Sequence, residues 1–160
     1  DLGNMKNIGS FKPSRLGEMV KIAQEFDKLT KEHNGDYLSP REIGERFSIG
    51  LDSINIAPEL GQIETCAIIE LLKKENSMFI DQFFKICYDS KRWVKWVSSD
   101  FKPYSNKEEL IKVCGHYTFS KVVFSIFIIL FLKDANMSKK DFSNVVKSHI
   151  RSHLLSISKF

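Results

Sequence analysis

Apolar and polar residues follow one rhythm along this chain up to about residue 76 and another after it. Two early segments, Lys31-Glu32-His33-Asn34-Gly35-Asp36-Tyr37 and Leu51-Asp52-Ser53-Ile54-Asn55-Ile56-Ala57-Pro58-Glu59, each read as a strand that stops abruptly in polar residues. The first strand is predicted over 30–34. The second, over 51–57, alternates and is rich in Ile, as a strand inside a parallel sheet would be. Pro58 ends it, because proline cannot extend a ladder. Between the two, Ser39-Pro40-Arg41-Glu42 is a strong helix start. Ser39 can cap, Pro40 fits the first helical position and Glu42 completes a capping box. Gly50 stops that helix by accepting left-handed backbone. Residues 1–13 hold Gly3, Gly9 and Pro13 and read as loop. A helix is predicted over 15–29, with Ser14 as its cap and Leu16, Met19, Val20, Ala23 and Phe26 at helical spacing.

A helix over 61–75 carries Ile63, Ala67, Leu71 and Leu72 on one side. Further helices follow near 78–88, 90–97, 106–114, 119–133 and 138–157, with no further strand. This strand–helix alternation predicts an α/β fold: the last strand–helix units of a (β/α) TIM-type barrel over 1–76, then a mostly helical extension over 77–160 that packs on the barrel. A whole barrel of this kind takes about 250 residues. The chain has 160 and begins at Asp1 in polar loop, so it is expected to be the C-terminal portion of a longer protein.

Composition changes this picture little. The net charge of +4 is mild, with Lys scattered among Asp and Glu. A nucleic-acid binder concentrates its basic residues on one face or tail. Lys139, Lys140, Lys147, Arg151 and Lys159 read instead as a solvated helix face, so no nucleic-acid partner is expected. Cys66, Cys87 and Cys114 are sparse and lack CxxC spacing, which argues against a disulfide scaffold and fits a reducing cytoplasm. The apolar run 122–132, bounded by Lys121 and Lys133, is shorter than the roughly 18–20 residues of a spanning helix. A buried or covering helix is expected there, and no membrane.

Candidate chemistry lies where the predicted strands end, because a barrel meets its substrate at that rim. His33 could act as acid, base or metal ligand, with Asn34 and Asp36 beside it. Equally, Asp36 could cap the next turn and His33 pack against a neighbour. Asn55 in an apolar strand needs partners, either a ligand or an internal network. Glu59 could be a general base or a carboxylate favoured near a helix N-terminus. Gly61 opens a helix whose free N–H groups could hold a phosphate, with Lys12 and Arg15 as possible helpers. His116 and Tyr117 interrupt apolar flanks and could reach over the rim or simply pack. His149 and His153 share a helical face at a metal-compatible spacing, without a third ligand, so no metal site is assigned. Trp93 and Trp96 read as anchors to a core.

On these residues the chain resembles the C-terminal part of the tagatose-bisphosphate aldolase family, of the kind that serves as accessory subunit to a class II aldolase. His33, Asp36 and Tyr37 match an H-x-x-D-Y segment. Ala57, Pro58 and Leu60 match the strand end that follows, and Ala67, Ile68 and Leu71 the apolar helix after it. Trp93-Val94-Lys95-Trp96 is loosely similar to an aromatic, Lys-rich helix of the family. Two features depart from it. His116-Tyr117-Thr118-Phe119-Ser120 stands where a Ser-Asp-Arg pattern is expected, and Thr65-Cys66 where the family can place Arg-Glu. The resemblance implies a (β/α) barrel protein of sugar-phosphate metabolism, a component of a ketose-bisphosphate aldolase. It leaves open a catalytic role or a supporting role beside a zinc-dependent catalytic subunit that carries the metal; a stand-alone helical interaction domain without activity is the alternative if the predicted strands do not form. If catalytic, it implies reversible aldol cleavage to two triose phosphates. His33 and Glu59 would then transfer protons, and Asn34, Asp36, Asn55 and His116 would bind the sugar phosphate.

Overall fold

Ser39 opens helix α2 as its sequence dictates. Its hydroxyl accepts from Glu42 N (3.3 Å) while Glu42 Oε2 accepts from Ser39 N (2.7 Å), with Pro40 at the first position. α2 spans Pro40–Ile49 and ends at Gly50, whose φ of 109° is left-handed backbone that other residues resist. A computed structural model describes residues 1–159 of the chain. Its helices are α1 (Pro13–Glu25), α2, α3 (Pro58–Glu75), α4 (Met78–Asp89), α5 (Lys107–Cys114), α6 (Val122–Asp134) and α7 (Lys139–Ile157). Val94–Trp96 and Gly115–Thr118 form 3₁₀ turns. Strands β1 (Lys31–Glu32) and β2 (Ser53–Ile54) pair in parallel, Lys31 opposite Ser53 and Glu32 opposite Ile54.

This corrects the expected fold class. The chain is 63% helical with a single two-stranded parallel sheet among the described residues, a small helical protein and not a portion of a TIM-type barrel. Each strand is far shorter than its sequence pattern predicts, for local reasons. Asn34 takes φ 62° just past β1, which breaks the extended backbone a ladder needs. Past β2, Ala57 N is drawn to a carboxylate and Pro58 turns the chain into α3. Parallel strands in barrels are covered on both faces, whereas Lys31 and Ser53 are exposed. Two helix boundaries also shift. α1 begins at Pro13 after Lys12, so Ser14 lies in its first turn and does not cap it. The chain leaves α1 through Asp27 at φ 51°. The helix predicted over 90–97 is only a 3₁₀ turn.

The chain divides into two compact units. One comprises Asp1–Glu59 and the residues from His153 onward; the other is Leu60–Ser152. In the first, α1 packs on α2 around Leu2, Val20, Leu38, Ile43 and Leu51. Arg46 is buried there. Its Nε donates to both Glu32 oxygens (3.0 and 2.9 Å), its Nη1 to Glu42 O, and its guanidinium lies 4.0 Å over the Phe11 ring. Removing Glu32, which is itself part-exposed, would leave the buried Arg46 guanidinium without its counter-charge.

The second unit is built on aromatic packing. Phe79 and Phe83 of α4 meet Phe124, Phe127 and Phe131 of α6, with Phe83 stacked on Phe127 at 5.4 Å and Phe79 edge-on to Phe131 at 5.3 Å, while Phe84 packs against Tyr88 and Tyr104. Such pairs add about 0.5–1.5 kcal/mol each beyond the area they bury. Trp93 and Trp96 pack against this cluster, as their spacing predicts. Gly115 sits where a Cβ would lie 2.6 Å from Thr65 Cγ2, so a larger residue would force α3 and the Gly115–Thr118 turn apart. No single helix is long and apolar enough to cross a membrane among the described residues.

Candidate functional site

The loops that leave β1 and β2 are locked together by two buried carboxylates. Asp36 Oδ1 accepts from Ala57 N and Glu59 N, each at 2.9 Å. Glu59 Oε2 in return accepts from Tyr37 N at 2.7 Å. This is a capping box assembled from two distant segments. Asp36 satisfies the open N–H groups at the start of α3, and the second residue of α3 satisfies the Asp36 loop. The backbone closes around the same point. Gly35 N donates to Asn55 O (3.0 Å), and a Cβ on Gly35 would fall 1.9 Å from Ile54 Cγ2. Tyr37 has φ 62°, a conformation that costs a bulky residue about 1–2 kcal/mol and persists only where the surroundings impose it. Asn7 Nδ2 ties the loop to the chain start by donating to Asn34 O (2.8 Å) and Asp36 O (2.9 Å).

One polar group in this cluster faces another side chain. Glu59 Oε1 lies 2.9 Å from His153 Nε2 of α7, an ion pair when the imidazole is protonated, although no in-line hydrogen bond forms. A carboxylate beside an imidazole can hold or exchange a proton, and this is the chemistry the arrangement offers. Glu59 is buried and His153 half-buried.

The sequence-predicted residues are only partly brought together. Asp36 and Glu59 join through long-range bonds: Asp36 serves the start of α3 rather than the turn that follows it, and Glu59 serves the Tyr37 amide as well as standing in the first turn of α3. Asn55 is half-buried and joins through its backbone, its N donating to Glu32 O at 2.9 Å and its O accepting from Gly35. His33 and Asn34 are exposed at the edge of the same loop. His116 lies in the other unit, its ring 4.0 Å from that of Tyr117 and packed so closely on Gly61 that a Cβ there would sit 2.8 Å away. Both His116 ring nitrogens are buried without a hydrogen-bond partner, and burial pushes its pKa down. Gly61 is therefore covered by an imidazole and is already the fourth residue of α3. Lys12 and Arg15 are exposed.

His149 and His153 take separate partners. His149 Nε2 lies 3.0 Å from Glu70 Oε2 and its Nδ1 3.0 Å from Val145 O. Both acceptors are oxygens, so the doubly protonated ring fits best, and the Val145 carbonyl, then Glu70, raises its pKa. Among the described residues no group of three His, Cys, Asp or Glu side chains could hold a metal ion. Asn7 escapes a reading of the sequence, and so does the pairing of His153 with Glu59. The i, i+4 spacing singles out His153 but not Glu59 as its partner, and nothing local marks Asn7. No family model, curated protein or solved structure matches the chain.

Proposed function

We propose that this chain is a non-catalytic interaction module, in its most specific form the supporting subunit of a zinc-dependent ketose-bisphosphate aldolase. The observation that carries the reading is the outer face of α6. Phe124, Phe127, Phe131 and Leu132 point into the core, while Val122, Val123, Ile126, Ile129 and Leu130 on the other side are each more than half exposed. A helix apolar on both faces, one of them turned to water, is the signature of a surface that another protein covers. The carboxylates at the strand ends support the same reading, since Asp36 and Glu59 are used to fasten loops. The partner class comes from the resemblance carried by His33, Asp36, Tyr37, Ala57, Pro58 and Leu60. Under this reading the metal and the converging histidines belong to the catalytic subunit, and the free cysteines suit a reducing cytoplasm.

The test is to mix the chain with a catalytic ketose-bisphosphate aldolase subunit and follow mass by light scattering alongside sugar-bisphosphate cleavage. A stable complex with raised activity is expected, lost in the Ile126→Glu/Ile129→Glu variant while its helical circular dichroism persists. No complex removes the aldolase partner; a complex indifferent to the double variant removes α6.

A catalytic role has one observation in its favour, the 2.9 Å approach of Glu59 to His153. In that case the chain alone cleaves a ketose bisphosphate, and Glu59→Gln lowers turnover by about 10²-fold or more. Unchanged turnover in that variant excludes Glu59.

A further inference from the structure

We propose that Cys87 and Cys114 are a paired modification site that hydrogen peroxide converts to a disulfide, covalently joining α4 to α5. The inference is independent of the interaction reading above. Cys87 lies in the last turn of α4 and Cys114 is the final residue of α5, helices that pack on one another. Both side chains are fully buried. The Cys114 thiol donates to Leu110 O at 3.2 Å and reaches to 3.9 Å from Cys87 O, which sets its sulfur against the backbone of the residue that carries the second thiol. The third thiol is different in kind: Cys66 on α3 is half-buried, with Lys112, Glu70 and Glu108 as its charged neighbours.

A sulfur 3.9 Å from the carbonyl of the other cysteine, across two helices that pack on one another, brings the pair within the short reach a disulfide requires. The chemistry balances with peroxide as the two-electron oxidant. One thiol loses its proton and its sulfur attacks peroxide oxygen, giving a sulfenic acid and one water. The second sulfur then displaces that hydroxyl, forming the S–S bond and a second water. Two thiols are oxidised and one peroxide is reduced to two waters. Burial pushes the Cys87 thiol well above its ordinary range, and the thiolate is the reactive form. Reaction therefore waits for local opening of the α4–α5 pair, and sustained rather than brief exposure produces the bond. Once formed, the bond closes a loop from position 87 to position 114 and restricts the unfolded chain.

The experiment uses the full chain carrying Cys66→Ser, so that no third thiol competes. The protein is held in hydrogen peroxide under native conditions, unfolded in an alkylating reagent, and mapped by mass spectrometry. The expected result is near-complete loss of alkylation at both cysteines, a Cys87–Cys114 peptide pair lighter by two hydrogens, recovery with dithiothreitol, and a higher melting temperature before reduction. Separate sulfinic acids at each position, or both thiols still alkylated after Cys66 in the wild-type chain is fully oxidised, would overturn the proposal. A Cys114→Ser companion must lose the linked peptide while Cys87 remains alkylable; a linked peptide persisting there would equally sink it.

Discussion

The two units of this chain are held by opposite means. Around β1 and β2 the fastening is polar, with Asp36 and Glu59 serving backbone amides and Arg46 tied to Glu32. Around α4 and α6 it is apolar, with Phe79, Phe83, Phe124, Phe127 and Phe131 linked ring to ring. Dispersion and burial depend on volume and tolerate rearrangement, whereas a capping carboxylate depends on one oxygen in one place. The comparison teaches that the residues most suggestive of catalysis stand where apolar packing is thinnest, and there they do the structural work that side-chain volume does elsewhere.

The comparison breaks first at Phe83, fully buried between α4 and α6. Phe83→Ala is expected to cost about 3–5 kcal/mol, read as a fall in the urea midpoint. A loss below about 1 kcal/mol would mean that the aromatic cluster is loosely packed. Next is Asp36→Ala, which leaves two amides at the start of α3 without their acceptor and should cost about 2–3 kcal/mol. Asp36→Asn keeps an oxygen in place and should recover part of that, so equal losses in both variants would point to charge rather than to the bonds. Ser39→Ala removes only one side of the α2 capping box and should cost about 1 kcal/mol.

The smallest effect separates two histidines by the sign of their pH dependence. Burial lowers the His116 pKa in the folded state, so between that value and the ordinary value of 6.5 the unfolded chain binds more protons. Its contribution to stability is complete above pH 6.5 and shrinks as pH falls. The Val145 carbonyl and Glu70 raise the His149 pKa, so its contribution is complete below 6.5 and shrinks as pH rises through the raised value. Urea midpoints across this range for His116→Phe and His149→Gln should show slopes changed in opposite directions. A common direction would contradict one of the two environments.

How far the sequence reveals the molecule differs between the same two units. Ser39, Pro40, Glu42 and Gly50 define α2 at both ends because capping is local chemistry, complete within a few residues. α3 to α7 follow from apolar spacing for the same reason, with α3 beginning only a few residues before its predicted start. The strands mislead because alternation in 51–57 reports which side chains favour extended backbone, not whether neighbours exist to continue a ladder. Asp36 and Glu59 look like rim carboxylates in sequence, and their reciprocal bonds, 22 and 23 positions apart, become visible only when both loops are placed. Asn7 and His153 belong to the cluster through contacts that no spacing rule encodes.

The outward side of α6 carries a thermal consequence. The drive to cover Val122, Val123, Ile126, Ile129 and Leu130 comes mainly from releasing water, and it weakens on cooling. An assembly closed over that face would therefore loosen on ice and tighten on warming, until the core beneath it begins to melt.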